Sequence, residues 1–219
     1  MAVRRMILTF HGVGPVPDHV GGSERSVWIE RDLYESILDE VRDRDDVAIT
    51  FDDGNRSDLD VALPALLDRG MRATFFVLGD RIGAPGYLDA GGVRALAAAG
   101  MGVGCHGAAH RPWRSLAGDS LRADVAGGRS AIERALGGPV REASCPFGDY
   151  DRRVLGELRR LGFERAYTSD GGWTRERGWL QARNTVTADW GPLRARLEGR
   201  EPARARAVRS AKRLVKRWR

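Results

Sequence analysis

Short apolar runs alternate with amphipathic helical patterns along this chain of 219 residues, and no other feature restricts the fold as strongly. The apolar runs occupy 5–10, 47–51, 73–79, 101–105, 142–145 and 165–168, and helical patterns lie at about 33–41, 58–69, 93–99, 121–136 and 153–161. Strands that take turns with helices pair in parallel through crossover helices. The sequence therefore predicts an α/β fold, either an open doubly wound sheet or a barrel.

Polar residues with metal-binding potential follow two of these predicted strands. Asp52 and Asp53 end the run VAITFDD, while His106 and His110 follow MGVGC with three residues between them. One carboxylate and two imidazoles suit a divalent ion, with zinc as the chemical default and cobalt, nickel or manganese as alternatives. The second carboxylate would then be free to act as a base.

Four segments, in this order and spacing, resemble the polysaccharide deacetylases of carbohydrate esterase family 4. They are TFDDG, ATFFVLG, GCHGAAH and SCPFGDYD, and the resemblance covers 47–183. It implies a distorted (β/α)7–8 barrel and hydrolysis of the N-acetyl group of an amino sugar. It also implies that Asp53, His106 and His110 hold the metal, and that Asp52 takes a proton from the attacking water.

Two positions depart from that family's pattern. Gly107 stands where the family usually has Ser or Thr, so a hydroxyl that would brace the loop is missing. Ser144 stands where an Arg usually orients the base. Arg183 resembles an Arg of family members that lack the earlier one, so we expect it either to replace that residue beside the base or to be a surface arginine.

The proton donor for the leaving amine is also displaced. The family's usual donor is a His near the carboxyl end, and no histidine follows His110 here. His11, at the end of the first predicted strand, resembles the acid of permuted family members, and a closed barrel brings its first and last strands together. We interpret His11 as the general acid, the alternative being a structural histidine. His19, in a loop, is predicted to be exposed.

Residues near these motifs are candidates for contact with a sugar. The predicted substrate-binding residues are Pro146, Phe147, Gly148, Tyr150, Asp170 and Trp173. The aromatic rings of Trp113 and Trp190 fit either stacking on sugars or ordinary packing. Cys105 and Cys145 are expected to be neutral buried thiols and not ligands.

The basic character of the chain is concentrated at its end. The net charge is +6, yet 194–219 holds eleven Arg or Lys and two Glu, so the preceding residues carry −3. We predict a barrel domain over 1–193 and a basic tail or amphipathic helix over 194–219. Such a helix fits either a solvated tail or contact with an anionic membrane surface, and nucleic-acid binding is the weaker interpretation.

The amino-terminal apolar run is shorter than the roughly 7 to 15 residues of a secretory signal, and two cysteines do not indicate a disulfide framework. A cytoplasmic enzyme, peripheral to the membrane if the tail binds there, is therefore predicted. Its expected substrate is an oligosaccharide, glycolipid precursor or small glycosylated metabolite carrying an N-acetyl group. The alternatives are a hydrolase of another linear amide, such as a formamide, and a catalytically weak sugar-binding protein.

Overall fold

The computed structural model describes residues 3–18 and 20–218, so the prediction for His19 lies outside the described residues. The strands are β1 Arg4–Phe10, β2 Val47–Asp53, β3 Ala73–Val77, β4 Gly102–Cys105, β5 Glu142–Ser144, β6 Arg165–Thr168, β7 Trp173–Arg175, β8 Leu180–Ala182 and β9 Asn184–Thr185. The α-helices are α1 Gly22–Arg25, α2 Arg31–Val41, α3 Leu63–Asp68, α4 Ala90–Ala98, α5 Gly118–Leu136, α6 Arg152–Arg160, α7 Gly191–Leu197 and α8 Ala203–Trp218.

The strands form a nearly closed barrel with one seam. Strands β1 to β6 pair in parallel in chain order, and β7 adds to β1 in the antiparallel direction. The segment that holds β8 and β9 spans the remaining gap, because β8 pairs with β6 and β9 pairs with β1. Arg183 is the single residue between these two short strands. The predicted α/β barrel is confirmed.

Alternation along the strands separates an outer core from the interior of the barrel. Phe10, Phe51 and Phe75 lie on neighbouring strands and stack in sequence, with ring centroids 5.3 and 4.6 Å apart, beneath Tyr34 of α2. Successive side chains of a strand point to opposite faces. Asp52, the residue after Phe51, consequently points into the barrel.

One predicted helix differs from the structure. Residues 58–69 begin as a π-helical turn, Asp58–Ala62, and become α-helical only at Leu63. The backbone N–H of Leu63 donates to the carbonyl of Asp58, five residues earlier, and Pro64 has no N–H to continue the regular ladder. The widened turn lies directly after the β2 aspartates.

The final segment is helical in the structure. Helix α8 covers Ala203–Trp218, and the side chain of its Lys216 contacts the barrel at the Gly148 carbonyl and at Asp170. None of the helices within the described residues is long and apolar enough to cross a membrane. The division at residue 193 stays a prediction.

Candidate metal centre and active site

Three side chains that were singled out as metal ligands converge at the carboxyl ends of β2 and β4. The Nε2 atoms of His106 and His110 lie 3.6 and 3.3 Å from Oδ1 of Asp53. One ligand atom from each residue lies within 4.8 Å of the other two. Parallel strands end at the same edge of the sheet, which brings together residues more than fifty positions apart in the chain.

Backbone strain is concentrated at this place. Among the described residues, the non-glycine residues with positive φ are Asp53 (79°), His110 (52°) and Phe147 (58°). The left-handed region is unfavourable for residues with a Cβ and tends to persist at functional sites. Two of the three are predicted metal ligands, and the ring of the third, Phe147, stacks on the imidazole of His110 at a centroid distance of 4.3 Å.

The imidazole of His106 is held in a defined tautomer. Its Nδ1 lies 2.9 Å from the Ser144 carbonyl, which can only accept, so Nδ1 carries the proton. Burial lowers the pKa of His106 to about 4, and the ring is therefore neutral at pH 7. Its Nε2 lone pair then faces Asp53 and is free for a cation.

His110 is supported by a carboxylate that the sequence interpretation missed. Glu24, in the short helix α1, accepts from Nδ1 of His110 at 2.9 Å and from Arg81 at 2.9 Å. The hydrogen bond from His110, followed by the contact with Arg81, lowers the pKa of Glu24 to about 2. A carboxylate behind a histidine directs the opposite ring nitrogen toward a metal.

Asp53 and a second buried aspartate show why a cation fits here. Oδ1 of Asp53 is buried and has no hydrogen-bond partner among the described residues, although two imidazole nitrogens surround it. Nearby Asp58 is fully buried, and burial together with the charges of Asp53 and Asp52 raises its pKa. A divalent cation between Asp53, His106 and His110 would compensate the negative charge of the buried aspartates.

Asp52 forms a bidentate ion pair with Arg183. The two guanidinium nitrogens donate to Oδ1 and Oδ2 of Asp52 at 2.7 and 2.6 Å, and the same guanidinium donates to Oγ of Ser144 at 2.6 Å. Burial opposes ionisation of Asp52, but the Arg183 charge outweighs it and holds the pKa of that carboxyl well below its usual range. Arg183 is thus fully buried at the barrel seam and is not a surface arginine.

The small residue at position 107 is required by its neighbours. Gly107 has a φ of +86°, and a Cβ there would lie 2.6 Å from Oδ2 of Asp124. Asp124, a buried residue of α5, accepts from the backbone N–H groups of Ala108 and Ala109 and from the indole of Trp113. The brace expected from a hydroxyl at position 107 therefore comes from Asp124, which sequence reasoning had not singled out.

A cavity of about 220 Å³ opens over these residues. His11 lines it, and Nδ1 of His11 is buried without a hydrogen-bond partner among the described residues. The described lining consists of His11, Glu24, Ser26, Val27, Asp52, Asp53, His106, His110, Phe147, Ser169 and Thr185. The sequence interpretation had not included Glu24, Ser26, Val27, Ser169 or Thr185, which lie in loops or in very short elements without a recognisable motif.

Several predicted substrate contacts lie outside this lining. Pro146 and Gly148 are buried on either side of Phe147, and Tyr150 is buried and donates to Oδ2 of Asp170 at 2.6 Å. Trp173 pairs with Met6 in the middle of β1, away from the strand end that carries His11. The structure thus brings Phe147 to the cavity and places Tyr150 and Asp170 behind it.

Two tryptophans that the sequence left open are buried, and so are the two cysteines that were expected to be. The indole of Trp113 is fully enclosed, and Trp190 is 8% exposed and donates to Glu40, so both rings pack inside the protein. Cys105 and Cys145 are free and buried, and burial raises the pKa of both thiols, that of Cys105 to about 12. Both thiols are neutral at pH 7.

Asp52, Asp53, His106 and His110 meet at the carboxyl ends of barrel strands, which is where enzymes with α/β barrels place their catalytic groups. A sequence profile of the family described as polysaccharide deacetylase matches residues 39–166, more than half of the chain, and the chain belongs to this family. His11, Arg183 and α8 lie outside the matched segment.

Comparison with particular proteins agrees with this family. The putative polysaccharide deacetylase YxkH of Bacillus subtilis (strain 168) is 26% identical over 133 residues, which are 60% of this chain and 48% of that protein. The chain thus spans about half the length of this curated relative.

Solved structures show the same fold. The deacetylase PplD of Streptococcus pyogenes, in complex with acetate, aligns with a TM-score of 0.78 at 19% identity, over 92% of this chain and 100% of that one. IcaB from Ammonifex degensii aligns with a TM-score of 0.74 at 24% identity, over 87% of this chain and 94% of that one.

Proposed function

We propose that this protein is a metal-dependent hydrolase that removes the N-acetyl group from an amino sugar. The observation that carries the proposal is the convergence of Asp53, His106 and His110, with the ionised carboxylate of Asp52 beside them. Membership in the polysaccharide deacetylase family supports the reaction type. A location in the cytoplasm stays a prediction from the sequence.

The donor set indicates which residues would hold the ion. Two imidazoles and one carboxylate suit zinc, and they leave positions for water and substrate. When bound, such an ion polarises the amide carbonyl and lowers the pKa of water. Glu24 and the Ser144 carbonyl fix the two rings by accepting from their Nδ1 atoms.

Proton transfer is assigned to Asp52 and His11. Asp52 is ionised at neutral pH and would accept a proton from the attacking water, while Arg183 keeps the carboxylate in one orientation. His11 lines the same cavity and would donate a proton to the leaving amine. Phe147, which is 51% exposed and stacked on His110, would contact the sugar.

Release of free amine from a panel of N-acetylated saccharides tests the proposal. We expect turnover by the zinc-loaded protein, its loss with a chelator, and a decrease of roughly 100-fold or more in kcat for Asp52→Asn with metal still bound. Asp60→Asn, an exposed aspartate beyond the same strand, is the control and should remain active. Turnover that is indifferent to the chelator would contradict the proposal, as would full activity of Asp52→Asn.

A further inference from the structure

A strongly basic groove runs along helix α8 beside the catalytic cavity. We call it the α8 groove; its volume is about 640 Å³. Six cationic side chains line it, namely Arg196, Arg204, Arg209, Lys212, Arg213 and Lys216. Arg196 belongs to α7 and the other five belong to α8, where residues three or four positions apart lie on one face.

The positive charge of the groove is only partly neutralised. Asp170 is the acidic residue of its described lining, and Glu201 accepts from Arg196 and Arg209. Two carboxylates against six cations leave a surplus of four positive charges. Arg204 and Lys212 are exposed and take part in no ion pair within the part of the chain that the structure describes. A concave surface with such an excess attracts anions.

The α8 groove and the catalytic cavity share a wall. Ser169 lines both. Lys216 donates to the Gly148 carbonyl at 2.9 Å, and Gly148 follows Phe147, the residue stacked on His110. An anionic group joined to a sugar in the catalytic cavity would therefore extend over Ser169 toward the cationic side chains of the α8 groove.

We propose that the α8 groove binds a phosphate or diphosphate group of the substrate while the N-acylated sugar of the same molecule occupies the catalytic cavity. This inference rests on the proposed deacetylase function and specifies its substrate class. Guanidinium groups match phosphate oxygens in pairs, and lysine adds a mobile point charge. Several cations on one helix face can therefore hold a group that carries more than one negative charge.

The placement of apolar residues favours this ligand over a membrane surface. Leu214 and Trp218 line a separate groove against Arg152, Leu155 and Leu180, on another side of α8. A helix that lies in a membrane interface directs its apolar face to the lipid with basic residues flanking it. Here the basic side chains line a groove that adjoins the catalytic cavity at Ser169, and Leu214 and Trp218 line the other groove.

The first experiment compares two substrates on the zinc-loaded protein. N-acetylglucosamine 1-phosphate is tested against the methyl glycoside of N-acetylglucosamine, and inorganic pyrophosphate is titrated separately by calorimetry. We expect kcat/KM to be about tenfold higher for the phosphorylated sugar, because charge-assisted hydrogen bonds to phosphate commonly change affinity by a factor of about ten or more. We also expect pyrophosphate to inhibit competitively.

Variants of the exposed cations locate the effect. Arg204→Ala and Lys212→Ala, singly and together, should reduce the preference for the phosphorylated sugar and weaken pyrophosphate binding, by about tenfold for the double variant. Arg206→Ala removes one charge from the same helix but lies outside the groove lining, and it should leave both quantities unchanged.

The outcomes separate this inference from the proposed function. Equal kcat/KM values for the two sugars would overturn the inference and leave the deacetylase intact. If neither sugar is deacetylated, the proposed function fails, and pyrophosphate binding alone decides whether the groove holds phosphate.

Sedimentation with vesicles of phosphatidylcholine and phosphatidylglycerol tests whether the groove binds a membrane surface instead. Sedimentation with these vesicles that depends on Arg204 and Lys212, without an effect on either phosphate probe, would assign the groove to a membrane surface and overturn the inference.

Discussion

At the scale of single residues, each candidate metal ligand is oriented by a different kind of partner. The Ser144 carbonyl accepts from His106, the Glu24 carboxylate accepts from His110, and Asp53 is held by its strained backbone conformation. A carbonyl carries no net charge, whereas ionised Glu24 adds negative charge behind the ring and makes its opposite nitrogen more basic. Glu24 should therefore affect metal affinity more than its distance from the catalytic groups suggests.

Replacing Glu24 by Gln tests this role. We expect the dissociation constant for zinc to rise by roughly 10- to 100-fold, which is the usual effect of losing a partner behind a metal-bound histidine. The measurement is competition for zinc with a chromophoric chelator. Glu30→Gln, at an exposed carboxylate that makes no capping bond, is the control. Unchanged zinc affinity in Glu24→Gln would show that Glu24 serves only to hold Arg81.

The sequence was informative about residues at strand ends and uninformative about their supports. Asp52, Asp53, His106 and His110 follow regular apolar runs, so the pattern itself indicates that they meet at one edge of the barrel. Glu24 lies in an irregular region 86 residues before His110, and no local pattern predicts their contact. Asp124, on a long amphipathic helix, has the sequence context of an ordinary surface acid, and only the packing of α5 buries it beneath the loop.

At the scale of elements, the approach of helix α5 determines the shape of the loop that carries His106 and His110. Gly128 of α5 faces the backbone of Gly107, and a Cβ on Gly128 would lie 2.3 Å from the Gly107 carbonyl carbon. The preceding helix residue, Gly127, is more accessible, and a Cβ added there would meet no atom within 4 Å. Two adjacent glycines of one helix thus have opposite packing requirements.

These two glycines form a matched pair for substitution by alanine. Gly128→Ala should decrease the free energy of unfolding by about 1–3 kcal/mol, because the helix must move away from a backbone that cannot yield. Gly127→Ala should increase it by about 0.5–1 kcal/mol, because alanine favours helix and meets no neighbour. Urea denaturation of both variants gives these values. A similar loss in the two variants would mean that α5 does not pack against the loop in this way.

Elements with strong periodicity were predicted well, and short ones were not. The predicted strand at 165–168 coincides with β6, and α2, α4, α5 and α6 lie within a few residues of their predicted bounds. Strands β7, β8 and β9 have two or three residues each, which is too short for any alternation to be recognised. Two of them, β8 and β9, nevertheless close the barrel and place Arg183 beside Asp52.

At the scale of the whole molecule, one carboxylate joins both carboxyl-terminal helices, α7 and α8. Glu201, just before α8, accepts from Arg196 of α7 at 2.8 Å and from Arg209 of α8 at 2.7 Å. Arg196 in turn donates to Asn184 of β9 at 2.7 Å. The basic end of the chain, which the sequence left as a tail or an amphipathic helix, is thereby linked to the strand that completes the barrel.

Protonation of Glu201 should therefore loosen α8, and this loss should begin near the ordinary pKa of a glutamate. The hydrogen bonds from Arg209 and Arg196 lower the pKa of Glu201 from 4.5 to about 2. A carboxyl whose pKa is lower in the folded state contributes stability above its unfolded pKa and loses it as the pH falls toward the folded value. The protection of α8 amides in hydrogen exchange should thus be constant from pH 7 to about pH 5, and should fall progressively from about pH 4.5 toward pH 2.

Glu201→Gln removes the charge at every pH, so α8 amides should exchange faster at both pH 4 and pH 7. Glu198→Gln is the control, since this nearby carboxylate pairs with Arg194 and Arg200 at the surface and has no contact with α8 among the described ion pairs. A wild type whose α8 protection shows the same pH dependence between about pH 5 and pH 2.5 as that of Glu201→Gln would contradict the proposed attachment, because a carboxyl with the same pKa in the attached and detached states contributes no pH dependence. In that case another contact, such as that of Lys216 with Asp170, would have to hold α8 against the barrel.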